Sequence, residues 1–173
     1  MAQLPLFDPA RKNALMVRDL RGRYRPATPN QVLTAARAIV DQTVRRETSF
    51  TTPTVVKDYV RAKLCGLEHE VFAVLFLNAQ NQLIEYVELF RGTITQSAVY
   101  PREVIKEALA RNAAALIIAH NHPSGSAKPS AADRELTDRL HETLALVDVR
   151  LFDHILVAGN ETVSFRELGV FLF

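Results

Sequence analysis

The chain has 173 residues, 48% of them hydrophobic and 23% charged, which fits one domain of ordinary size with a buried core. No apolar run approaches the length of a bilayer-spanning helix, and the N-terminus lacks the basic-then-apolar layout of a signal peptide, so a cytoplasmic chain is expected rather than a membrane or exported one. The net charge of +2 conceals an asymmetry, because residues 1–50 hold nine Lys/Arg against four Asp/Glu and the remainder twelve against fifteen.

In chain order, residues 1–27 read as extended or disordered, with Pro5, Pro9 and Pro26 breaking any helix. Arg18, Arg21, Arg23 and Arg25 cluster there around Tyr24. Such a set can neutralise nucleic-acid phosphates, with Tyr24 as a stacking face, and it reads equally well as a solvated linker. Thr28-Pro29 then opens a helix over 28–46, with Thr as N-cap, Pro at the first position, and Val32, Ala35, Ala36, Ile39 and Val40 on one face. The same start recurs at Thr52-Pro53, leading a helix to about Cys65 with Gly66 as its stop. Cys65 is the only cysteine, so it forms no intrachain disulfide and reads as a small packing residue. A dense β-branched and aromatic run over 71–77, a turn at 78–81 and a second run over 83–90 predict a hairpin. Tyr100-Pro101 begins another helix, to about Asn112. The most apolar run, 113–119, reads as a buried strand, followed by a helix over 131–145 and a closing hairpin of 149–158 and 162–165 through Gly159-Asn160. Hairpins near both ends with βα units between them predict an α/β fold, an α+β mixed sheet flanked by helices.

The chemistry concentrates where the 113–119 strand runs into His120-Asn121-His122. In an extended backbone residues i and i+2 lie on the same side, about 6.5–7 Å apart, so both imidazoles can turn toward one ion. Pro123, Ser124 and Gly125 should form a tight turn. Beyond it, Ser130 stands at a helix start with Asp133 three residues on, a capping box with Asp in place of Glu, which holds a carboxylate where the helix dipole favours its ionised form. Two neutral imidazoles and a carboxylate make an open three-ligand zinc site with the fourth position left for water. Taken singly, each histidine reads as a surface or satisfied core residue and the Ser/Asp pair as a helix cap; their joint occurrence behind one strand favours a metal. A zinc nucleobase deaminase would need His-x-Glu and a later Pro-Cys-x-x-Cys, which a single cysteine excludes. No glycine-rich phosphate loop is present, which excludes P-loop and dinucleotide enzymes.

His120-x-His122, Pro123, Gly125, then Pro129-Ser130-x-x-Asp133, with ten residues between the second His and the Asp, resembles the JAB/MPN+ (JAMM) zinc metallopeptidase signature. The flanking text, Leu89-Phe90-Arg91-Gly92-Thr93, Pro101-Arg102-Glu103-Val104 and Asp153-His154, is similar to RadC, a bacterial JAB branch historically labelled DNA repair. The resemblance spans about residues 51–168. It implies a JAB/MPN-type, cytidine-deaminase-like architecture, zinc on His120, His122 and Asp133, and hydrolysis of an amide or isopeptide bond in a protein or peptide substrate. It also implies a RadC-like domain over 51–173, preceded over 1–50 by a basic arm and helix in which the helix-hairpin-helix module of full-length RadC-like proteins is not recognisable. Amide hydrolysis needs a base to orient water and carry its proton to the leaving nitrogen. Glu68 and Glu70 both precede the 71–77 strand; the resemblance maps the catalytic glutamate onto Glu70, with Glu68 as the alternative. By the same resemblance the Ser130 hydroxyl stabilises the oxyanion. Asp153 and His154 match the RadC text outside the ligand set and read either as residues that orient ligands or as an ordinary strand-edge pair, while His69 and His141 read as surface residues.

Two further readings concern partners. Gln3-Leu4-Pro5-Leu6-Phe7 resembles the bacterial sliding-clamp-binding motif. Leu6 and Phe7 suit an apolar pocket, Leu4 a neighbouring one, and Gln3 a hydrogen bond at the rim, with Pro5 limiting the entropy lost on ordering. This would make the chain a DNA repair or replication-associated factor acting on DNA or DNA-bound proteins; the competing reading folds the same tail onto its own domain. The apolar end at 169–173 is expected either in the core or in a homodimer contact.

Overall fold

The computed structural model describes residues 15–47, 50, 52–92 and 99–170, and the chain divides between Thr43 and Val44 into two compact units. The first unit holds a short antiparallel pair, β1 (Met16–Arg18) with β2 (Tyr24–Pro26), and most of α1 (Pro29–Glu47). For the described residues of this stretch the pair bears out the extended reading over the disordered one. Its turn is closed by main-chain bonds from Asp19 N–H to Arg23 C=O and from Gly22 N–H to Asp19 C=O, each at 2.9 Å, and by the Asp19 carboxylate, which accepts the N–H groups of Arg21 and Arg23 at the same distance, with Gly22 at φ +79° beside it. Thr28 and Gln31 cap α1 reciprocally, Thr28 N–H donating to Gln31 Oε1 at 3.0 Å and Gln31 N–H to Thr28 Oγ1 at 3.3 Å.

The second unit is a five-stranded mixed sheet with helices, the architecture expected from the sequence. After α2 (Pro53–Leu64) come β3 (Val71–Leu77), β4 (Leu83–Arg91), α3 (Pro101–Ala110), β5 (Ala115–Asn121), α4 (Ala131–Ala145), β6 (Arg150–Ala158) and β7 (Glu161–Ser164). Strand order is β4-β3-β5-β6-β7, parallel between β5 and β6 and antiparallel elsewhere. Both β3 and β5 are buried along their whole length, which is why they read as unbroken apolar runs rather than alternating ones. Alternation still sorts their side chains by face. Phe72, Val74 and Phe76 of β3, Leu116 and Ile118 of β5 and Leu156 of β6 share one core with Val104 and Ala108 of α3 and Leu140 and Leu144 of α4. On the other face α2 packs against β5, β6 and β7 through buried Val56, Tyr59, Val60 and Leu64.

One boundary moves in a way that matters. β5 runs on through His120 and Asn121, because His120 pairs with Phe72 of β3 on one side and with Leu156 of β6 on the other. The first histidine therefore sits inside the sheet and not at its end. Chain closure is also clear as far as Val170, whose N–H donates to Phe165 C=O at 2.9 Å and whose side chain packs on the core. Gln3, Leu4, Leu6 and Phe7 lie outside the described residues, as do residues 171–173. Among the described residues no helix is long and apolar enough to cross a membrane.

Leu140 is fully buried where α4 meets the sheet, whereas Leu109 on α3 is 55% exposed. Leu140→Ala should lower the unfolding free energy in urea by about 2–5 kcal/mol, and Leu109→Ala by no more than about 0.5 kcal/mol. Equal losses would contradict this packing of α4.

Candidate metal centre

The site is assembled from the end of β5, the turn after it and the first turn of α4. His120 is 2% exposed and projects from the face that carries α4, two residues after Ile118. His122 has left the strand, yet its N–H still donates to Val157 C=O at 2.9 Å, so the backbone stays extended and both rings turn to the same side. Their Nε2 atoms stand 3.1 Å apart. The Pro123–Gly125 turn closes by a 3.0 Å bond from Gly125 N–H to His122 C=O, with Gly125 at φ +78° where a side chain would be strained. That turn brings Ser126 C=O to 2.8 Å from His122 Nδ1. A carbonyl oxygen only accepts, so Nδ1 bears the hydrogen and Nε2 presents its lone pair to the site.

Asp133 reaches the same point from the helix. Ser130 is the N-cap of α4, its Oγ accepting from Asp133 N–H at 3.1 Å while its own N–H donates to Asp133 Oδ2 at 2.7 Å. This reciprocal box folds the carboxylate back over the helix start, with Oδ1 3.4 Å from His120 Nε2 and Oδ2 3.5 Å from His122 Nε2. A tetrahedral zinc with ligands at about 2.0–2.1 Å separates its donor atoms by about 3.3 Å. The observed contacts of 3.1, 3.4 and 3.5 Å are close to that span, the last two reaching different oxygens of the carboxylate; with one oxygen serving both imidazoles, the three donor atoms lie within 4.8 Å of one another. Among the described residues, His120, His122 and Asp133 are the group of His, Cys, Asp or Glu side chains placed to hold a metal ion, and two imidazoles with one carboxylate suit zinc.

Electrostatics point the same way. Burial opposes ionisation of Asp133, but the adjacent imidazoles of His120 and His122 and the Ser130 cap outweigh it and hold the carboxyl well below the usual carboxylate range. The bond to Asp133 raises the affinity of His122 for a proton against the cost of burial, with help from the Ser126 carbonyl and the charge of Glu70. Positive charge is therefore stabilised among these three side chains.

Glu70 immediately precedes β3, and its charge is felt at His122. Its backbone is pinned on both flanks by buried Asn121, whose Oδ1 accepts from Val71 N–H at 2.8 Å and whose Nδ2 donates to His69 C=O at 3.0 Å. Gly92 N–H adds a third tie, to Glu70 C=O at 2.9 Å. The residue between the two histidines thus fixes the segment that carries Glu70, a role absent from the sequence reading; its signal was an amide ending an otherwise apolar strand. Glu68 is exposed in the bend before β3.

A family model described as RadC-like JAB domain matches residues 50–170. The chain belongs to the RadC family. Among similar proteins, UPF0758 protein of Leptothrix cholodnii is 60% identical over 136 residues, 79% of this chain and 61% of that one. UPF0758 protein of Thiobacillus denitrificans is 51% identical over 148 residues, 86% of this chain and 66% of that one. The Vibrio cholerae UPF0758 protein is 53% identical over 143 residues, 83% of this chain and 90% of its own length. The chain thus spans just under two thirds of the length of the first two of these relatives.

The Asp153-His154 pair, matched in the RadC-like text, divides its work between the two faces of β6. His154 is fully buried on the α4 side, its Nε2 2.7 Å from His120 Nδ1. Asp153 points the other way and holds the chain beyond β7, accepting from Ser164 Oγ at 2.6 Å, Arg166 N–H at 3.1 Å and His154 N–H at 2.7 Å. Burial raises its pKa, and these bonds oppose the rise. Of the other two histidines, His69 enters through its carbonyl alone and His141 lines a separate cavity with Arg150 and Arg166. Asp153→Ala should cost about 1–3 kcal/mol of stability by orphaning buried donors while leaving the metal-ligand geometry intact. A loss of metal affinity at unchanged stability would contradict this division of roles.

Proposed function

We propose that the chain is a zinc-dependent hydrolase of the JAB/MPN+ type that cleaves amide or isopeptide bonds in a protein or peptide. The observation that carries the reading is the convergence of two Nε2 atoms and the Asp133 carboxylate within 3.1–3.5 Å, with His122 Nδ1 already committed to Ser126. His120, His122 and Asp133 would hold the ion. Zinc held by three protein ligands supplies Lewis acidity and lowers the pKa of water at its open position. Glu70 takes the proton from the attacking water and delivers it to the leaving nitrogen as the C–N bond breaks. The Ser130 Oγ accepts within the cap, so its own hydrogen stays available to donate to the oxyanion that develops on the carbonyl. Asn121 fixes the main chain on either side of Glu70.

Metal analysis of the purified chain should give about one zinc per molecule, with little retained by His122→Ala. In a peptide-library cleavage assay, Glu70→Gln should keep its zinc and lose turnover by about 10²–10⁴-fold. Full zinc content in His122→Ala would sink the ligand assignment, and undiminished turnover in Glu70→Gln would move the base to Glu68.

A second reading, a DNA-associated factor, draws on one observation in the first unit. Arg18, Arg21, Arg23 and Arg25 are all exposed on or beside the β1–β2 pair, with Tyr24 71% exposed among them. Each phosphate contact contributes about −0.9 to the slope of log affinity against log salt on duplex DNA. Replacing the four arginines by alanine should therefore flatten that slope in a fluorescence anisotropy titration. Identical slopes for the two proteins would remove the hairpin from any nucleic-acid role.

A further inference from the structure

The hydrogen-bond partners of His120 run away from the candidate metal position to a residue that no sequence motif marks. Thr137, one turn beyond Asp133 on α4 and fully buried, places its Oγ1 2.6 Å from the main-chain carbonyl of Asp133 and 2.6 Å from His154 Nδ1. A hydroxyl has one hydrogen, and a carbonyl oxygen has none to give. The Thr137 hydrogen is therefore spent on Asp133, and toward His154 the hydroxyl can only accept. His154 must then carry its hydrogen on Nδ1, leaving Nε2 as an acceptor. At 2.7 Å from that Nε2, His120 must donate from Nδ1, so His120 Nε2 keeps its lone pair and faces His122 and Asp133.

We propose that Thr137 and His154 are positioning residues that fix the tautomer of His120 and hold it ready as a metal ligand. The path runs from the main-chain carbonyl of Asp133 through Thr137 and His154 to His120, whose Nε2 then stands 3.4 Å from the carboxylate of the same aspartate, two ligand atoms side by side. One helical turn of α4 thereby supplies a ligand and orients another. The rings are also gripped from the side, His154 lying 4.2 Å from the Phe165 ring and 6.3 Å from that of Phe72, centroid to centroid. Neither bond in the relay can rotate to an alternative partner without stranding a buried nitrogen, which is what makes a single tautomer of His120 dominant. Its consequence for affinity rests on the zinc reading above; the hydrogen positions do not.

The test separates the two. In the 15N-labelled, metal-free chain, long-range 1H–15N correlation spectra should show His120 and His154 both protonated on Nδ1. An unprotonated Nδ1 on either ring overturns the relay without recourse to any variant. Zinc titration then reads its effect: Thr137→Val, which keeps the side-chain shape and deletes the hydroxyl, should weaken zinc binding by about 10–100-fold, and Thr137→Ser should restore it. Wild-type affinity in Thr137→Val, or a Thr137→Ser as weak as Thr137→Val, overturns the positioning role. A wild-type chain that binds no zinc yet shows both Nδ1 hydrogens would retire the zinc reading and leave the relay standing.

Discussion

An imidazole buried in the middle of a sheet has two nitrogens to satisfy and no water to satisfy them, and the architecture around His120 answers that constraint. One nitrogen is met by His154 across the parallel β5–β6 pair, and the other looks out between His122 and Asp133. Because His154 is itself fully buried, the obligation passes on to Thr137 and ends on the Asp133 carbonyl. Burial holds His154 well below the ordinary histidine pKa, in keeping with a neutral ring that accepts on one side and donates on the other. From His120 Nδ1 to the Asp133 carbonyl each hydrogen in this series meets an acceptor, which leaves His120 Nε2 as the one nitrogen still open to a ligand.

Placement on rigid elements follows from the same layout. His120 belongs to a strand paired on both sides, and Asp133 to the capped first turn of a helix whose later residues Leu140 and Leu144 are locked in the core. Only His122 depends on a loop, and there the Gly125 turn sets the Ser126 carbonyl against its ring. Glu70 is held less directly, through main-chain bonds on either side of it. A site built this way spends little freedom when it takes up a ligand.

Much of this was legible in the residues because local rules agreed with the global fold. Ser130 and Asp133 announce the helix start and the carboxylate together, and the structure shows both bonds of the box. Thr28-Pro29, Thr52-Pro53 and Tyr100-Pro101 mark helices that begin at Pro29, Pro53 and Pro101. What escaped was non-local or carried by a single side chain. His154 meets His120 only through a strand register set thirty-four positions apart, and no periodicity reveals which residues of two parallel strands become neighbours. Thr137 and Asn121 belong to no motif of their own, and nothing in their local spacing marks them. The β1–β2 pair depends on Asp19 bonding to nearby backbone, a choice invisible to a reading based on proline positions.

The central claim is that two imidazoles and one carboxylate, from β5, the turn after it and α4, form a zinc site. Zinc K-edge X-ray absorption of the reconstituted chain tests it most directly. The account predicts a first shell of nitrogen and oxygen alone at about 2.0–2.1 Å, with outer-shell scattering from two imidazole rings. A sulfur contribution at about 2.3 Å, which would bring in Cys65, or scattering from a single imidazole, would contradict it.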